Sequence, residues 1–462
     1  MDLLTDPLLL ARLQFAFTAL FHIVWPVLSI GLSLFLLLLE ILWLKTGDVD
    51  YYRHLRFWIR LFLLNFVIGV VTGLPLQFEF GTNWAPFAKA AGGFFGSVLG
   101  FEATMAFMLE AGFLGIMAFG WNRVSPAIHL FSTAMVAVGA SLSAFWIMSA
   151  NAWMQTPAGG HMVDGSFVIE SFSQAIFNPN MPIAVSHMWL ACIETTLFVI
   201  GGISAWYILR QREGAFFLKS FRLVLLGVLI VTPLQILLGH SSSIALFEQQ
   251  PVKAAAIEAH WQTNPPDTGA AWSVLAWPDQ EAQANKWSIE IPNALSLLVT
   301  QERYGEVKGL RDFPRMDQPP ALPLLYYSFR IMVVIGFYLL FLAGWSLWLW
   351  HRGNLSSHHI GSRKGLLRLW VAAIPLGYIA VECGWIVREV GRQPWTIYGL
   401  LRTVDSASPL PAATIAASLG GYVVIYTLLL VTFIVFARRI LESGPDMVMQ
   451  PTSQHSDQYE AG

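Results

Sequence analysis

The sequence predicts an all-α polytopic membrane protein of about nine transmembrane helices, and three observations lead there. Charged residues make up only 12% of the 462 residues while 55% are hydrophobic; a soluble domain carries about a quarter charged residues. Mean hydropathy is +0.57. The apolar residues come in runs of about 20 or more, the length a helix needs to cross a bilayer core. A soluble enzyme and a nucleic-acid binder are excluded by this composition together with a net charge of −2 and no basic stretch. The two cysteines, Cys192 and Cys383, both lie in apolar runs, which excludes a disulfide framework or a thiolate metal site.

Nine candidate spans follow in order, at roughly 14–44, 58–80, 94–120, 126–150, 183–209, 220–242, 324–350, 366–388 and 413–438. Span 1 is longer than a bilayer requires and must tilt or protrude. The amino terminus carries Asp2 and Asp6 rather than a basic region, so span 1 is expected to insert uncleaved. Lys45, Arg53, Arg56 and Arg60 follow span 1, Arg210, Arg212, Lys219 and Arg222 follow span 5, and Arg352, Arg363, Lys364 and Arg368 follow span 7. The alternate short connections hold few Lys or Arg. The positive-inside rule then places the amino terminus outside and the carboxyl terminus in the cytoplasm. The chain divides into spans 1–6 (1–242), an external loop (243–323), spans 7–9 (324–440) and a polar cytoplasmic tail (441–462). Loops this long are functional or disordered. Trp261, Trp272, Trp277, Trp287 and Tyr304 argue against disorder here.

Ionisable residues inside the spans are costly, about 2.5–3.5 kcal/mol each at the bilayer centre on insertion scales, and so imply a task or a partner. They are His22, Glu40, Glu102, Glu110, His187, Glu194, Arg330, Glu382 and Arg388. His22 taken alone reads as a histidine bonded to a carbonyl; its sharper reading is an axial heme ligand. His187 begins span 5, and Arg330 and Met332 begin span 7. A histidine and a methionine from different helices can ligate one low-spin heme, although Met332 alone reads as packing. Arg330 needs an anion, which a heme propionate would supply. Glu382 in span 8 is either a neutral hydrogen-bonding acid or an anionic ligand to ferric heme. Glu102 and Glu110, eight residues apart, differ by roughly 80° in azimuth and about 12 Å in height on an ideal helix, which suits two stations of a proton path. Two protonated acids bonded to neighbouring helices is the plainer alternative. Glu40 and Glu194 have no such pairing. Lys253 and Glu258, in Pro-Val-Lys-Ala-Ala-Ala-Ile-Glu, are spaced i, i+5 and make no ideal ion pair. As isolated residues they read as solvated surface; as a site they would bind the polar head of a quinol.

Several motifs carry a resemblance. They are Ala-Arg-Leu-Gln-Phe around Arg12, Phe-Gly-Thr-Asn-Trp at 80–84, the Glu102 to Glu110 segment and Asn-Ala-Trp-Met-Gln at 151–155. Ala-Ala-Ile-Glu-Ala at 255–259, Phe-Arg-Ile-Met at 329–332 and Gly-Arg-Gln-Pro-Trp at 391–395 complete the set. Over nearly its full length the chain resembles subunit I of the cytochrome bd-type quinol oxidases. The resemblance implies that His187 and Met332 ligate a low-spin heme b, with Arg330 supporting it. It implies that His22 and Glu382 ligate two high-spin hemes, with heme d favoured on His22 and heme b on Glu382. Glu102 and Glu110 would lie on the proton route, Lys253 and Glu258 would contact quinol, and Arg392 joins the cofactor-binding candidates. The short external loop resembles the short-loop class, which includes cyanide-insensitive forms, some of them with heme b in place of heme d. Tyr378 stands where some relatives have a tryptophan.

The function this implies is a quinol:oxygen oxidoreductase subunit in the bacterial cytoplasmic membrane. It would oxidise quinol outside, reduce O2 to water with cytoplasmic protons and generate a proton motive force without pumping. A second membrane subunit and a small single-span accessory subunit are the implied partners, beside quinol, O2 and lipid. A proton-coupled transporter would predict broken helices and repeat symmetry, and the sequence shows neither. A heme b electron-transfer subunit would leave His22 and Glu382 without a purpose.

Overall fold

The computed structural model describes residues 5–357 and 359–451; the rest of the expected tail lies outside the described residues. Nine helices among the described residues are long and apolar enough to cross a membrane. Span 1 is Pro7–Thr46, span 2 Val49–Thr82, span 3 Ala85–Phe119, span 4 Pro126–Gln155 and span 5 Met181–Leu209. Span 6 is Gly214–Gln249, span 7 Leu322–His351, span 8 Lys364–Val390 and span 9 Ala412–Ser443. Every expected span is present, and most extend beyond their apolar run.

Local chemistry sets the ends. The Asp6 carboxylate caps span 1 by accepting from the Leu8 and Leu9 amides at 2.9 and 3.2 Å, with Pro7 in the first turn. Gly47 closes it in the left-handed conformation, φ 67°. Only Gly47 and Asp48 separate spans 1 and 2, so Lys45, Arg53, Arg56 and Arg60 sit in helix ends rather than in a loop. Span 6 runs on to Gln249, past the 242 boundary read from the sequence. Ile244, Ala245, Leu246 and Phe247 continue its apolar pattern, and Pro251 forces Gln250 to an extended φ of −140°. Span 8 is interrupted between Ala373 and Leu376, at Pro375, whose ring cannot join the helical ladder.

The two ends of the bundle differ. One end has short turns between spans 1–2, 3–4 and 5–6. The other carries three small antiparallel hairpins: β1 (Gly160–Val163) with β2 (Ser166–Ile169), β3 (Trp272–Asp279) with β4 (Ala284–Ile291), and β5 (Trp395–Ile397) with β6 (Leu401–Arg402). The 243–323 segment is ordered here as a short helix, Pro251–Glu258, the β3/β4 hairpin and a further helix, Ala294–Thr300.

Span 1 is the hub, packing against spans 2, 4, 5, 8 and 9. Two thirds of its apolar window (67%) is buried, against 6% for span 9. Its contact with span 5 depends on Gly31: a Cβ there would lie 2.2 Å from Thr196 Oγ1 and 2.8 Å from the Cys192 carbonyl oxygen. A backbone obstacle cannot rotate away, so the helices would have to part. Gly31→Ala should cost about 1–3 kcal/mol through overpacking, lowering the thermal midpoint of the detergent-solubilised chain. An unchanged midpoint would show that the contact gives way freely.

Candidate functional site

The hairpin-bearing end holds a dense set of buried charges. The helix Pro251–Glu258 buries Ala254, Ala255, Ala256 and Ile257 completely. Lys253 and Glu258 are themselves only 4% and 5% exposed, which corrects the solvated-surface reading. They do not pair with each other. Lys253 Nζ donates to the Arg388 carbonyl at 2.8 Å and to Gln155 Oε1 at 3.2 Å. Glu258 Oε2 accepts from Arg330 Nη2 at 2.6 Å, and the same nitrogen donates to the Ser273 carbonyl at 2.7 Å. The Arg330 guanidinium lies 4.6 Å over the Tyr326 ring. The anion that Arg330 was expected to need is thus met, in part, by Glu258.

Arg388 donates to Asn151 and, at 3.0 Å, to Asn180 Oδ1. Asn151 Nδ2 donates to Glu389 Oε1 at 2.8 Å, and Arg392 pairs with Glu389. Three basic side chains, Lys253, Arg388 and Arg392, therefore gather around one carboxylate. Burial, reinforced by Arg388 and Arg392, holds the Lys253 ammonium well below its ordinary pKa, with Glu389 opposing. Burial pushes the Glu258 carboxyl up despite Arg330. Asn151, Gln155, Asn180 and Glu389 escaped the sequence reading as site residues. The only signal for two of them was their place in the 151–155 motif.

Below this cluster sit the expected ligands. His187 lies against span 6 at Gly239, where a Cβ would come within 3.4 Å of its Cε1, and its Nδ1 has no hydrogen-bond partner among the described residues. Met332 lies against span 8 at Gly384, where a Cβ would be 3.3 Å from its sulfur. Spans 5, 6, 7 and 8 close into a ring by neighbour contacts, 5 on 6, 6 on 7, 7 on 8 and 8 on 5. His187 and Met332 thus come from opposite members of one four-helix group. Both Glu382 carboxyl oxygens are buried without a partner, as are Nε and Nη1 of both Arg330 and Arg392.

His22 is placed differently. Its Nδ1 is 3.1 Å from Thr72 Oγ1, whose hydroxyl donates to the Ile68 carbonyl at 2.9 Å. The threonine oxygen must then accept from Nδ1–H, which leaves the lone pair on Nε2, the tautomer that suits a metal ligand. Gly73 accommodates the ring; a Cβ there would be 2.9 Å from His22 Cε1. Among the described residues no three His, Cys, Asp or Glu gather to hold a bare metal ion. Single candidate ligands on separate helices, three of them beside glycines, together with unpartnered guanidinium nitrogens of Arg330 and Arg392, fit iron porphyrins with propionates.

Glu102 and Glu110 are closer in phase than an ideal helix allows. Glu102–Phe107 forms a π-helical segment inside span 3. One extra residue per turn shifts phase by about 100°, so the expected 80° becomes roughly −20°. Glu102 accepts from Ser143 Oγ at 2.8 Å, and Glu110 packs on Gly139, one turn away on span 4. Both acids therefore face one stripe of span 4. Glu40 and Glu194 are buried in spans 1 and 5.

Removing one partner of the Arg330–Glu258 pair leaves a buried unpaired charge, a loss of about 3–5 kcal/mol, whereas removing both is far milder. Glu258→Ala should sharply lower the thermal midpoint, and Glu258→Leu with Arg330→Leu should recover most of it. A double-mutant cycle with no coupling would refute this pairing.

The comparisons with known proteins agree with one another. The family model for cytochrome bd terminal oxidase subunit I matches residues 10–445. Cytochrome bd ubiquinol oxidase subunit 1 of Bacillus subtilis is 36% identical over 450 residues, covering 95% of this chain and 94% of the relative. Cytochrome bd-II ubiquinol oxidase subunit 1 of Escherichia coli is 34% identical, covering 97% and 99%. The solved bd oxidase structure from Geobacillus thermodenitrificans superposes with a TM-score of 0.87 at 31% identity, covering 96% of this chain and 99% of that one. With nine spans in the same arrangement and a match along nearly its whole length, the chain belongs to the cytochrome bd terminal oxidase subunit I family.

Proposed function

We propose that this chain is the heme-bearing subunit of a quinol:oxygen oxidoreductase, taking electrons from quinol at the hairpin end and reducing O2 to water with protons drawn from the opposite, cytoplasmic side. The observation that carries the reading is the set of buried polar groups without partners: His187 Nδ1, both Glu382 oxygens, and two nitrogens each of Arg330 and Arg392. Orphaned buried groups are costly, and an iron porphyrin with two propionates satisfies such a set. Bound heme supplies the electron transfer and the oxygen reduction.

The chain's own residues do the rest. His187 and Met332 would hold the low-spin heme b. His22, in its Nε2-ligating tautomer, would hold a high-spin heme, heme d or heme b in its place, and Glu382 the other. Arg330 and Arg392 would steady propionates, as Glu258 and Glu389 already orient one face of each guanidinium. Lys253 and Glu258 would receive the quinol head. The carboxylate of Glu258 would accept a quinol proton and release it outside, while Glu110 and Glu102 pass protons toward the oxygen site. Positive charge leaves one side and enters from the other, so a proton motive force arises without pumping. The positive-inside pattern supports an external amino terminus and a cytoplasmic carboxyl terminus. A second membrane subunit, a small accessory span and the bacterial cytoplasmic membrane complete the reading.

The deciding experiment is a dithionite-reduced minus air-oxidised spectrum of the purified complex with heme extraction. A low-spin heme b signal with a far-red chlorin band is the expected outcome, and three hemes b would identify the variant without heme d. A well-folded preparation without heme would overturn the reading. His187→Ala and Met332→Leu should remove the low-spin signal alone. Glu382→Ala should abolish oxygen turnover with that signal intact.

Glu258 also sets a pH dependence. Because its acid form persists above the usual carboxylate range, its proton-accepting form grows in as pH rises, and quinol oxidation should rise with it. Glu258→Gln should lower the rate at least tenfold and flatten that acidic limb. A variant profile parallel to the wild type would remove Glu258 from proton transfer.

A further inference from the structure

Three groups near the other end of the bundle are not used by this mechanism. Glu40 of span 1 is fully buried, and His129 of span 4 is 2% exposed. His129 Nδ1 and Glu40 Oε1 are 2.6 Å apart, and Thr133 Oγ1 donates to Glu40 Oε2 at 2.6 Å. The second imidazole nitrogen, Nε2, reaches the Met117 carbonyl at 3.2 Å. A carbonyl only accepts, so Nε2 carries a hydrogen. One further proton must then lie between Nδ1 and Oε1, whichever atom holds it.

The pair's position is informative. On span 4, His129 and Thr133 share with Gly139 and Ser143 an arc of about 120° and a rise of about 21 Å. Glu40 faces the lower part of that stripe, Glu110 packs on Gly139 and Glu102 bonds to Ser143. Three carboxyls from spans 1 and 3 therefore follow one face of span 4. Trp121 lies 4.0 Å from the His129 ring, and Arg56, from the basic end of span 2, stacks on Trp121 at 4.7 Å. This places the pair next to the inner face. A buried ion pair is weak evidence of stability, since apolar residues of like volume commonly hold helices as well.

We propose that Glu40, His129 and Thr133 form the cytoplasmic-side proton station that feeds Glu110 and then Glu102. The inference rests on the proton path read above for Glu102 and Glu110. The shared proton moves up the span 4 stripe, and one proton taken from the inner side replaces it, so the pair returns to its starting state. The rise of about 9 Å between Thr133 and Gly139 is the step that side-chain rotation or ordered water must bridge.

The test uses the complete oxidase in proteoliposomes. Glu40→Gln keeps the hydrogen-bonding shape but lacks the transferable proton. It should slow proton uptake, followed with a pH-sensitive dye, at least tenfold, while anaerobic reduction of the hemes by quinol is unchanged. Glu40→Asp should keep uptake within about threefold. A purely structural pair would instead lower heme content and quinol reduction together. Wild-type uptake in Glu40→Gln overturns the proposal. If that variant does not assemble, Glu40→Met with His129→Leu removes both partners at once: assembly with uptake slowed tenfold supports the station, and wild-type uptake or failed assembly overturns it. Glu110→Gln, run beside them, separates the two levels. Loss of uptake there but not in Glu40→Gln sinks only this station, and loss in neither removes the underlying path.

Discussion

The arrangement depends on burying charge at the hairpin end of the bundle. Holding an ion out of water costs several kcal/mol even after relaxation, so each one must find partners. Lys253, Arg388 and Arg392 find them in the Gln155 amide, the Arg388 carbonyl, Asn151, Asn180 and Glu389, which come from spans 4 and 8, the start of span 5 and the segments between. Neighbouring bonds extend the tie. Gln250 Nε2 donates to the Gln155 carbonyl at 2.7 Å, the Tyr398 amide to the Met154 carbonyl at 2.9 Å, and Arg402 pairs with Asp317 at 2.5 Å. The three connections at this end are thus fastened to one another through the charges. The remaining excess of cations is what makes an anionic ligand electrostatically welcome there.

Underneath, close helix approach does a second task. Glycine at 73, 239 and 384 leaves room beside His22, His187 and Met332 in turn. The space is on the neighbouring helix in every case, so the ligand's own helix keeps its side chain. The Thr72 hydroxyl then chooses the His22 tautomer through a bond to a residue 50 positions away. Close packing thus leaves space beside each of these three side chains, and for His22 a hydrogen bond also sets which ring nitrogen is free to bind a metal.

The nine spans were legible because a run of 20 apolar residues is a length requirement that no tertiary context alters. The candidate ligands stood out for the opposite reason: His22, His187 and Glu382 are ionisable groups that are expensive where they stand. What escaped the sequence depends on separation or on geometry without a composition signal. Glu258 and Arg330 are 72 positions apart, so each alone resembled an exposed or propionate-seeking charge. Glu40 and His129 are 89 apart, and Glu40 accordingly looked unpaired. The π-helical segment Glu-Ala-Thr-Met-Ala-Phe reads as ordinary helix, yet it decides that Glu102 and Glu110 share a face. The β4 strand is a different case: residues 286–291 alternate polar and apolar with the strand period, a signal present in the sequence although all six are exposed in the fold.

Span 4 touches both polar systems and must also keep them apart. At its hairpin end Asn151 and Gln155 bind the charge cluster, and further down Ser143, Thr133 and His129 bond the buried acids. Between Ser143 and Asn151 lie about 12 Å of helix. That interval holds Phe145, Trp146, Ile147 and Met148, and its one hydroxyl, Ser149, is turned back onto the Phe145 carbonyl at 2.7 Å. A hydroxyl that spends its proton on its own helix offers no onward step. The stretch is therefore a dielectric break between the place where quinol protons would leave and the place where substrate protons would arrive. On the proposed function such a break is required, because a continuous polar line along span 4 would return protons across the membrane and dissipate the charge separation.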